Sequence, residues 1–503
     1  MIMWCQRIIS QLKGYRYYSQ HTSTIYALSS GQGKCGVAVI RVSGSKAANA
    51  ILKMTDPSDL PKPRMAALKY VHDPVTKEKL DRGLILWFPG PKSFTGEDCC
   101  EFQVHGGPAV VSSILTALGK LDHFRPAEAG EFTRRAFFNE KLDLTEIEGL
   151  ADLIHAETDM QRKQALLQME GTLSNLYNQW RKTLLQNVAH VEAYVDFSED
   201  ENIEEDVLRV ANEQLLKVKI EIENHLADGR RGERLRDGVK AVIIGEPNAG
   251  KSSLFNTLSN RQAAIVTPIA GTTRDLIELH ININGYPLTL TDTAGLRSNT
   301  CDIIEIEGIS RAHNSVKSSD LVLFVIDSTI ITKKLQVENN LIKALNEHVS
   351  DLNLAVIDED EPYTVSELCE MLKCIFLFNK TDLLSPEEQL NLIKVTNGEN
   401  INCVSCATGY GFPLFIENLT THLKDLCGCP SAENPTLTQI RHRHHLSQCC
   451  YYLSKYFTVI KDEDLPLAAH QIRKSLTHLG KITGQVSSDE ILNIIFKDFC
   501  IGK

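Results

Sequence analysis

The first 55 residues contain no aspartate or glutamate, and the first acidic residue is Asp56. Residues 1–23 carry Arg7, Lys13 and Arg16 among serines, tyrosines and isoleucines, without a continuous apolar core. The missing apolar core excludes an ordinary secretory signal, whereas a basic, acid-free leader is typical of an organellar transit peptide. We therefore predict a transit peptide over residues 1–23, with a disordered basic tail as the alternative.

The sequence also lacks an apolar run of membrane-spanning length, which predicts a chain without a membrane span. Its 14 cysteines include neither two Cys-x-x-Cys motifs in sequence nor a Cys/His metal spacing, so they are predicted to be small, mostly apolar residues in a reducing compartment. The formal net charge of −11 excludes a general polyanion-binding protein, so any RNA contact must be local or shared with a partner. The length of 503 residues is enough for two or three domains.

A phosphate-binding loop is predicted where the apolar strand Val239–Ile244 runs into Gly245-x-x-x-x-Gly250-Lys251-Ser252 and then into a helical pattern. The glycines let backbone N–H groups face the phosphates, and the helix N-terminus adds a favourable dipole. We expect Lys251 to reach the β- and γ-phosphates and the Ser252 hydroxyl to hold Mg²⁺. A glycine-rich turn that matches by chance is the alternative, and the flanking strand and helix disfavour it.

Three further motifs follow in the order that a GTPase requires, each at the end of an apolar strand. In Asp292–Gly295 the aspartate can hold Mg²⁺ through water, and the glycine amide can contact the γ-phosphate. In Asn379–Asp382 the last carboxylate can accept hydrogen bonds from N1 and the 2-amino group of guanine, a donor pair that adenine lacks. Ser405–Ala407 is expected to cover the base. Because α/β sheets bind ligands at the carboxyl ends of their strands, these motifs together predict a GTP site.

The catalytic machinery must differ from that of Ras-like enzymes, which place a glutamine directly after Asp-x-x-Gly. Leu296 occupies that position here and cannot orient a water molecule. Asn248 in the phosphate loop offers an oxygen that can hold a monovalent cation and so stabilise transition-state charge, or it simply caps a turn. The acids that can replace the glutamine are Asp302, Glu305 and Glu307.

Helical patterns flank the nucleotide-binding segment. Thr145-x-x-Glu148 predicts a helix start with a capping box, and an apolar stripe predicts one long helix from Gln164 to Val195. The Gly- and Arg-rich segment Gly229–Gly238 is predicted to be a solvated linker, although its arginines could also touch RNA. Because the helices are too long to bury their own faces, we predict one helical bundle into which the GTPase domain is inserted.

Several longer strings are more specific than any single motif: Phe94–Asp98, His105–Pro108, Lys141–Leu144, Gly245–Ser253, Ile265–Asp275, Asp292–Arg297 and the terminal Cys500–Lys503. On these strings the sequence resembles the MnmE/TrmE family of tRNA-modification GTPases, in its mitochondrial form, over nearly everything after the leader. The resemblance implies a multidomain α/β chain with an N-terminal α+β folate-binding domain that also dimerises the protein. It further implies an all-α helical domain interrupted by an inserted Ras-like P-loop GTPase domain.

The expected bounds are 1–23 for a mitochondrial transit peptide, 24–142 for the folate-binding domain, 143–236 and 429–503 for the helical domain, and 237–428 for the GTPase domain. The resemblance implies that Glu305 orients the attacking water, in agreement with the gap left by Leu296. The implied K⁺ ligands are Asn248, Thr267, Ile269 and Thr272, and the implied Mg²⁺ ligands are Ser252 and Thr273. The implied GTP-binding residues are Asn248, Ala249, Gly250, Lys251, Ser252, Ser253, Thr267, Pro268, Ile269, Ala270, Gly271, Thr272, Thr273, Asp292, Thr293, Ala294, Gly295, Asn379, Lys380, Asp382, Ser405, Cys406 and Ala407.

A 5-formyl- or 5,10-methylene-tetrahydrofolate derivative is implied at Arg41, Glu101, Lys141 and Lys503, where cationic groups suit a ligand that bears glutamyl carboxylates. The family modifies carbon 5 of the wobble uridine in certain tRNAs, together with an FAD-dependent MnmG/GidA-type partner. For this chain the resemblance implies a homodimer in the mitochondrial matrix that forms taurinomethyl-type uridine on mitochondrial tRNAs, whereas bacterial relatives use glycine or ammonium. Cys500 is either close to the reaction centre or an inert small residue.

Three other functions compete with this interpretation. A ribosome-assembly GTPase of the Era/Der type is disfavoured, because the sequence has no second P-loop. A folate-dependent one-carbon enzyme with a regulatory GTPase stays open. A scaffold with a vestigial GTPase is disfavoured by intact Lys251, Ser252, Asp292 and Asp382.

Overall fold

The computed structural model describes residues 23–197, 206–261, 278–292, 319–338, 340–351, 373–396 and 401–486, with Leu492, Ile495, Phe496, Phe499 and Gly502. Its contacts divide the chain into two units, Met1–Ala151 with Gly480–Lys503, and Asp152–Leu479. Residues 1–22 of the expected transit peptide lie outside the described residues. Among the helices that the structure describes, none combines the length and apolar character needed to cross a bilayer.

The first unit is built on a seven-stranded sheet in the order β3-β4-β5-β6-β2-β1-β7, in which only the β1–β7 pair is parallel. Its strands are β1 (Thr24–Leu28), β2 (Cys35–Ser43), β3 (Thr55–Asp56), β4 (Ala67–His72), β5 (Lys79–Phe88), β6 (Cys99–Gly106) and β7 (Phe124–Pro126). Its helices are α1 (Ala47–Met54), α2 (Pro108–Gly119), α3 (Glu131–Phe138) and most of α4 (Leu144–His155).

Alternating side chains give this sheet one buried face. Ile40 and Val42 on β2, with Phe102 on β6, are fully buried in a cluster that includes residues of α1 and α2. The intervening residues Arg41 and Glu101 are cross-strand neighbours on the other face, because successive side chains of a strand point in opposite directions. Strands and helices packed in this way make an α+β unit, as predicted for the N-terminal domain.

The end of the chain packs within the first unit rather than with the helices that precede it. The Ser29 hydroxyl donates to the Gly502 carbonyl at 2.9 Å. A Cβ atom on Gly502, whose φ is +102°, would lie 2.1 Å from the Leu28 carbonyl oxygen, so this close approach to the end of β1 requires glycine. Phe496 is fully buried and lies beside Phe137 of α3, with ring centroids 6.4 Å apart.

The second unit contains a six-stranded sheet in the order β13-β12-β11-β8-β10-β9, parallel except for the β9–β10 hairpin. Its strands are β8 (Val239–Gly245), β9 (Glu278–Ile283), β10 (Tyr286–Asp292), β11 (Leu321–Asp327), β12 (Cys374–Asn379) and β13 (Ile401–Cys403). The helices of this segment are α9 (Lys251–Arg261), α10 (Ser328–Glu338), α11 (Leu341–Asp351), α12 (Pro386–Thr396) and α13 (Phe412–Cys427), with a 3-10 turn at Thr381–Leu383.

This sheet is buried on both faces, as its continuous apolar strands predict. Ala241 and Ile243 of β8 face a cluster that contains residues of α9 and α13. Val242 and Ile244 face a second cluster, formed with α10, α11 and α12. The doubly covered parallel sheet places the carboxyl ends of β8, β11, β12 and β13 at one edge, where the sequence motifs lie.

The rest of the second unit is helical, with α5 (Asp159–Met169), α6 (Thr172–Phe197), α7 (Asp206–Leu226), α8 (Arg231–Asp237), α14 (Ile440–Val459) and α15 (Leu465–Thr483), whose last turn belongs to the first unit. The single helix expected from Gln164 to Val195 is interrupted by Gly171, whose φ of +87° ends α5. Helix α14 packs against α7, so helices from both sides of the nucleotide-binding segment contact each other.

The predicted capping box of α4 is shifted by two residues. The Asp143 carboxylate accepts from the Glu146 N–H at 2.9 Å, and the Glu146 carboxylate accepts from the Asp143 N–H at 2.8 Å. The Thr145 hydroxyl also donates to Asp143 at 2.6 Å, so Thr145 supports the cap instead of forming it. Two N-cap candidates that lie two positions apart, Asp143 and Thr145, cannot be distinguished by spacing alone.

The segment expected to be a solvated linker is the helix α8, which forms a buried network of ion pairs. Glu233 is 2% exposed and accepts from Arg443 of α14 and from Arg230, both at 2.6 Å. Arg443 also donates to Asp228 at 2.7 Å. A Cβ on Gly232 would meet the Leu437 carbonyl oxygen at 2.2 Å, so the two chain segments that enter and leave the nucleotide-binding sheet are in close contact.

The Glu233 ion pairs predict that the local stability of α8 depends on pH. Burial opposes ionisation of Glu233, but hydrogen bonds from Arg443 and Arg230 outweigh it and lower the pKa of the carboxyl. Glu233→Gln should therefore weaken the anchoring of α8 by about 2 kcal/mol at neutral pH, which corresponds to roughly 30-fold faster amide exchange in residues 231–237. Because the folded-state pKa is depressed, this stabilisation is present at neutral pH and is lost as the pH falls through that lowered pKa.

Hydrogen–deuterium exchange with mass spectrometry measures this effect against a matched control. Glu213→Gln removes the carboxylate of an exposed pair with Arg209 at 2.8 Å on α7, and its effect on local exchange should stay below about 0.5 kcal/mol. Equal exchange of residues 231–237 in wild type and Glu233→Gln at neutral pH would contradict the assignment of α8 as an ion-paired anchor.

Candidate functional site

The phosphate loop joins β8 to α9, and its glycines stand where no side chain fits. Gly245 has a φ of +152°, and a Cβ there would lie 2.0 Å from the Val325 carbonyl oxygen on β11. Gly250 has a φ of +101°, and a Cβ there would lie 2.0 Å from the Asn379 amide nitrogen on β12. The loop therefore depends on glycine at both ends to fit against the two neighbouring strands.

The side chain of Lys251 places a positive charge inside the phosphate loop. Lys251 is the first residue of α9, and its ammonium donates to the carbonyls of Gly245 at 2.8 Å and Glu246 at 2.7 Å. Ser252 follows at the exposed first turn of the helix. A cationic group inside a loop at a helix N-terminus is the arrangement that binds polyphosphates.

Asn248 is exposed and has a φ of +64°, a left-handed conformation that asparagine tolerates better than most residues. Its side chain forms no hydrogen bond with any residue that the structure describes. The alternative in which Asn248 caps a turn through its side chain therefore has no support here. Its amide oxygen is available to an external ligand at the rim of the phosphate loop.

Asn379 links the phosphate loop to the loop after β13. The side chain is 2% exposed, its Nδ2 donates to the Ala249 carbonyl at 2.9 Å, and its Oδ1 accepts from the Cys406 N–H at 3.1 Å. Both ends of the buried amide are thus satisfied by backbone groups. This one side chain sets the separation of the two loops that are expected to hold the phosphates and the base.

Lys380 is fixed by a carboxylate that the sequence analysis missed. Its φ is +65°, and its ammonium pairs with Asp327, the last residue of β11, at 2.7 Å. Burial opposes ionisation of Asp327, but hydrogen bonds from Lys380 and Thr329 outweigh it and lower the pKa of the carboxyl. The sequence signal for Asp327 was its position, since it is an acid at the end of an apolar strand that lies between two recognised motifs.

Asp382 presents a carboxylate that is oriented but exposed. Its Oδ1 accepts from the Ser405 hydroxyl at 2.6 Å, and the Ser405 hydroxyl in turn accepts from the Thr408 N–H at 3.1 Å. Cys406 follows in the same loop, where burial and the charge of Asp382 raise the pKa of its thiol to about 11. The thiol therefore stays neutral near pH 7 and adds no charge beside the carboxylate.

The structure brings together the residues of three of the four nucleotide-binding motifs. It places Asp292 at the end of β10, paired in register with Ile243 of β8. The other expected ligands of phosphate and metal, and the expected catalytic acid, lie outside the described residues: Thr267, Pro268, Ile269, Ala270, Gly271, Thr272, Thr273, Thr293, Ala294, Gly295 and Glu305. Within the described ranges, three or more His, Cys, Asp or Glu residues do not cluster as a metal site would need.

The first unit holds a second group of candidate residues around Arg41. Its guanidinium pairs with Glu101 at 3.0 Å across β2 and β6, and both side chains are largely buried. The same guanidinium lies over the Phe94 ring at 5.0 Å and near the Phe132 ring at 5.9 Å. These two aromatic contacts, which the sequence motifs did not predict, give the ion pair a flat apolar neighbour.

Of the two lysines in this group, the structure describes Lys141 but not Lys503. Lys141 is exposed, and its side chain forms no ion pair with any of the described residues. Lys503 lies outside the described residues, but its neighbour Gly502 is held against Leu28 by the Ser29 hydrogen bond. Leu28 is paired in register with Ile40, the residue next to Arg41, so the end of the chain approaches the strand that carries this guanidinium.

Other residues of the characteristic N-terminal strings hold the unit together. Glu97 accepts from the buried Arg135 at 2.9 Å and from the Ser43 hydroxyl at 2.7 Å. Arg135 is 1% exposed and pairs also with Glu131 at 3.0 Å. Such paired buried charges fix the loop around Phe94, and thereby the ring that lies below Arg41.

The oriented carboxylate of Asp382 predicts the choice of base. Guanine offers two N–H donors to a carboxylate, whereas xanthine has one donor and one acceptor on the same edge, which suits an amide. Asp382→Asn should lower the affinity for GTP by at least about 10³-fold and raise the affinity for xanthosine triphosphate, because a polar site rejects an unmatched hydrogen-bonding edge strongly. Titration calorimetry with both nucleotides measures the two changes.

Asp425→Asn, an exposed carboxylate on α13, is the matched control and should leave both affinities unchanged. If Asp382→Asn bound GTP as tightly as wild type, the carboxylate would not read the base. A loss of affinity for both nucleotides would show instead that the substitution disturbs the Ser405 loop.

Two family models match the chain. The MnmE helical domain matches residues 144–500, and the N-terminus of the GTP-binding protein TrmE matches residues 24–141. The first of these alone spans more than half of the chain.

Curated relatives match over almost the whole length. The zebrafish (Danio rerio) protein "5-taurinomethyluridine-[tRNA] synthase subunit GTPB3, mitochondrial" is 50% identical over 484 residues, covering 95% of this chain and 93% of its own. The human (Homo sapiens) protein of the same name is 47% identical, covering 96% and 93%. The Rickettsia canadensis "tRNA modification GTPase MnmE" is 43% identical, covering 95% of this chain and 100% of its own. The chain therefore belongs to the MnmE/TrmE family of tRNA-modification GTPases.

Proposed function

We propose that this chain is the GTP-hydrolysing component of a mitochondrial complex that modifies carbon 5 of the wobble uridine in tRNA. An FAD-dependent MnmG/GidA-type protein is the partner, a tetrahydrofolate derivative supplies the one-carbon unit, and the product is a taurinomethyl-type uridine. The observation that carries the proposal is the 50% identity, over 95% of this chain, to a protein named as a subunit of 5-taurinomethyluridine-tRNA synthase. The mitochondrial matrix is the proposed location.

The nucleotide site supports a hydrolase that binds GTP. Lys251, whose ammonium lies inside the phosphate loop, is the proposed partner of the β- and γ-phosphates, and Ser252 and Thr273 are the proposed Mg²⁺ ligands. Asp382 and Ser405 form the base-binding side, and Asn379 joins the two halves. Glu305 is the proposed acid that orients the attacking water, since Leu296 cannot do so.

A potassium ion beside the phosphates is the second part of the proposal. Asn248 has a polar side chain at the loop rim and no described hydrogen-bond partner, which fits a ligand of a monovalent cation. Thr267, Ile269 and Thr272 are the other proposed ligands. When bound, the ion supplies positive charge next to the transferred phosphoryl group, where other GTPases use an arginine. The protein's part is to hold an oxygen at the right place in the loop.

The cation proposal predicts a dependence of the hydrolysis rate on the salt. GTP hydrolysis should be at least about tenfold faster in K⁺ than in Na⁺ at equal ionic strength, because transition-state charge is stabilised by the bound ion. Asn248→Gly removes the oxygen but retains the left-handed backbone conformation, and it should abolish the preference for K⁺ while GTP affinity stays within a few-fold of wild type. Steady-state phosphate release measures both.

Equal wild-type rates in the two salts would refute the cation site as a whole. If the Asn248→Gly variant still preferred K⁺, a cation site would remain but Asn248 would not be one of its ligands.

The folate proposal is supported by the chemistry around Arg41. A pterin presents the same 2-amino-4-oxo edge as guanine, and a carboxylate such as Glu101 can accept hydrogen bonds from it. The Phe94 ring gives the planar heterocycle an apolar surface, and Arg41 holds the carboxylate in place at 3.0 Å. Lys141 and Lys503 are the proposed partners of the glutamyl carboxylates.

The proposed domain bounds are those predicted from the sequence. Residues 24–142 form the folate-binding and dimerisation domain, residues 237–428 form the GTPase domain, and the helical domain consists of 143–236 and 429–503. The contact of α14 with α7, and the ion pairs from Arg443 to Asp228 and Glu233, support an insertion of the GTPase segment between two halves of one bundle.

Analysis of wobble nucleosides tests the function directly. In cells depleted of this protein, mass spectrometry of mitochondrial tRNA should show loss of the taurinomethyl group at the wobble uridine. Expression of the wild-type chain should restore it, whereas Asp382→Asn should not, because the expected affinity of that variant for GTP is at least about 10³-fold lower. Fully modified tRNA in depleted cells would contradict the proposal. If the group that depends on this protein were derived from glycine instead of taurine, only the proposed amine donor would change.

A further inference from the structure

Helices α14 and α15 are basic helices in a chain with an acidic balance of charge. Together they contain six lysines and arginines and five histidines but no aspartate or glutamate, although the chain carries a net charge of −11. The segment between the two helices carries Asp462, Glu463 and Asp464, and acids of other helices pair with only some of the basic residues, such as Arg443 and Arg473. A local positive potential is therefore built into an acidic protein, and local charge is what a nucleic acid within a Debye length experiences.

The two helices are packed so that their aromatic and imidazole rings form one continuous array. His445 of α14 lies 3.2 Å from His478 of α15, nitrogen to nitrogen, and the His478 ring is stacked on Tyr452 at 5.5 Å. Tyr452 contacts Tyr451 at 5.3 Å, and His444 contacts His445 at 5.3 Å. The ring array, defined as these five residues, reaches the surface at His444 and at Tyr451, which is 49% exposed.

Two lysines border the ring array. The Lys455 ammonium lies over the Tyr451 ring at 4.6 Å, and Lys474 is one helical turn before His478 on α15. Both lysines are exposed, and neither forms an ion pair with a residue that the structure describes. By contrast, Arg473 is paired with Glu192 at 2.6 Å, so its charge is already compensated.

Exposed rings flanked by uncompensated cations are the arrangement with which proteins bind single-stranded RNA. Every base has a π-face that stacks on an aromatic side chain, while lysines neutralise neighbouring phosphates. A merely structural helix interface would bury its rings and would gain nothing from exposed lysines without acidic partners. The stretch from His444 to Lys455 extends about 16 Å along α14, enough for more than one base.

We propose that the ring array with Lys455 and Lys474 is a contact surface for the unpaired nucleotides of an RNA loop. The inference rests on the proposed function, since it assigns to this chain its own share of tRNA binding. Tyr451 stacks a base, and the two lysines neutralise phosphates on either side of the stacked nucleotide. The contact depends on both stacking and charge, which can be removed separately.

The test uses the full-length protein and a fluorescein-labelled, unmodified anticodon stem–loop RNA with uridine at the wobble position. Fluorescence anisotropy over a series of KCl concentrations gives the Kd and its salt dependence. Lys455→Glu with Lys474→Glu should weaken binding by at least about tenfold and reduce the salt slope by about 1.5, because two phosphate contacts are lost. Tyr451→Leu should weaken binding about fivefold or more without changing the slope, and Tyr451→Phe should retain wild-type affinity.

Lys394→Glu with Lys424→Glu is the matched control, since it makes the same charge change at exposed lysines of α12 and α13. It should change neither the Kd by more than about twofold nor the slope. GTP binding and circular dichroism verify that every variant is folded.

The possible failures are distinguishable. An unchanged Kd and slope in both Tyr451→Leu and the Lys455/Lys474 variant would overturn the RNA surface. If these variants bound RNA normally but lost the FAD-dependent partner, the surface would belong to a protein instead, and the RNA assignment would be wrong. Failure of the proposed function itself shows elsewhere, in a wild-type chain that does not restore wobble modification to depleted mitochondria.

Discussion

The buried amide of Asn379 is the interaction on which the nucleotide site depends. One end holds the Ala249 carbonyl of the phosphate loop, and the other holds the Cys406 N–H of the base loop. Because an amide has a donor and an acceptor at fixed separation, neither an aspartate nor a leucine can replace both contacts. The close packing of Asn379 against Gly250 shows why the loop carries glycine there, so the loops proposed to bind the phosphates and the base share one structural element.

The opposite edge of the same sheet is joined to the helices through α8. Arg234 of this helix pairs with Asp320 at 2.8 Å, and Asp320 also accepts from the Lys240 N–H at 3.2 Å, at the starts of β11 and β8. These strands end at the phosphate loop and at Asp327. Helix α8 is therefore ion-paired both to the start of β11, through Arg234, and to α14, through Glu233.

Local patterns were sufficient where the structure depends on neighbours in the sequence. The strand–loop–helix at Gly245–Ser252 and the strand ending in Asn379 were predicted because an apolar run and a glycine-rich turn define them. The predicted linker at Gly229–Gly238 was wrong, because its helix is stabilised by Arg443, some two hundred positions later in the sequence. The contacts of Asp327 and Phe94 were missed for the same reason: their partners Lys380 and Arg41 are more than fifty positions away in the sequence.

Net charge was a weaker guide than the distribution of charge. The value of −11 correctly excludes a chain that coats polyanions indiscriminately, but it averages over helices that contain no acid at all. With screening over about 8 Å, a bound RNA loop responds to the side chains it touches and hardly to distant carboxylates. The proposed RNA surface is therefore a local one, while the acidic remainder of the chain disfavours non-specific RNA binding.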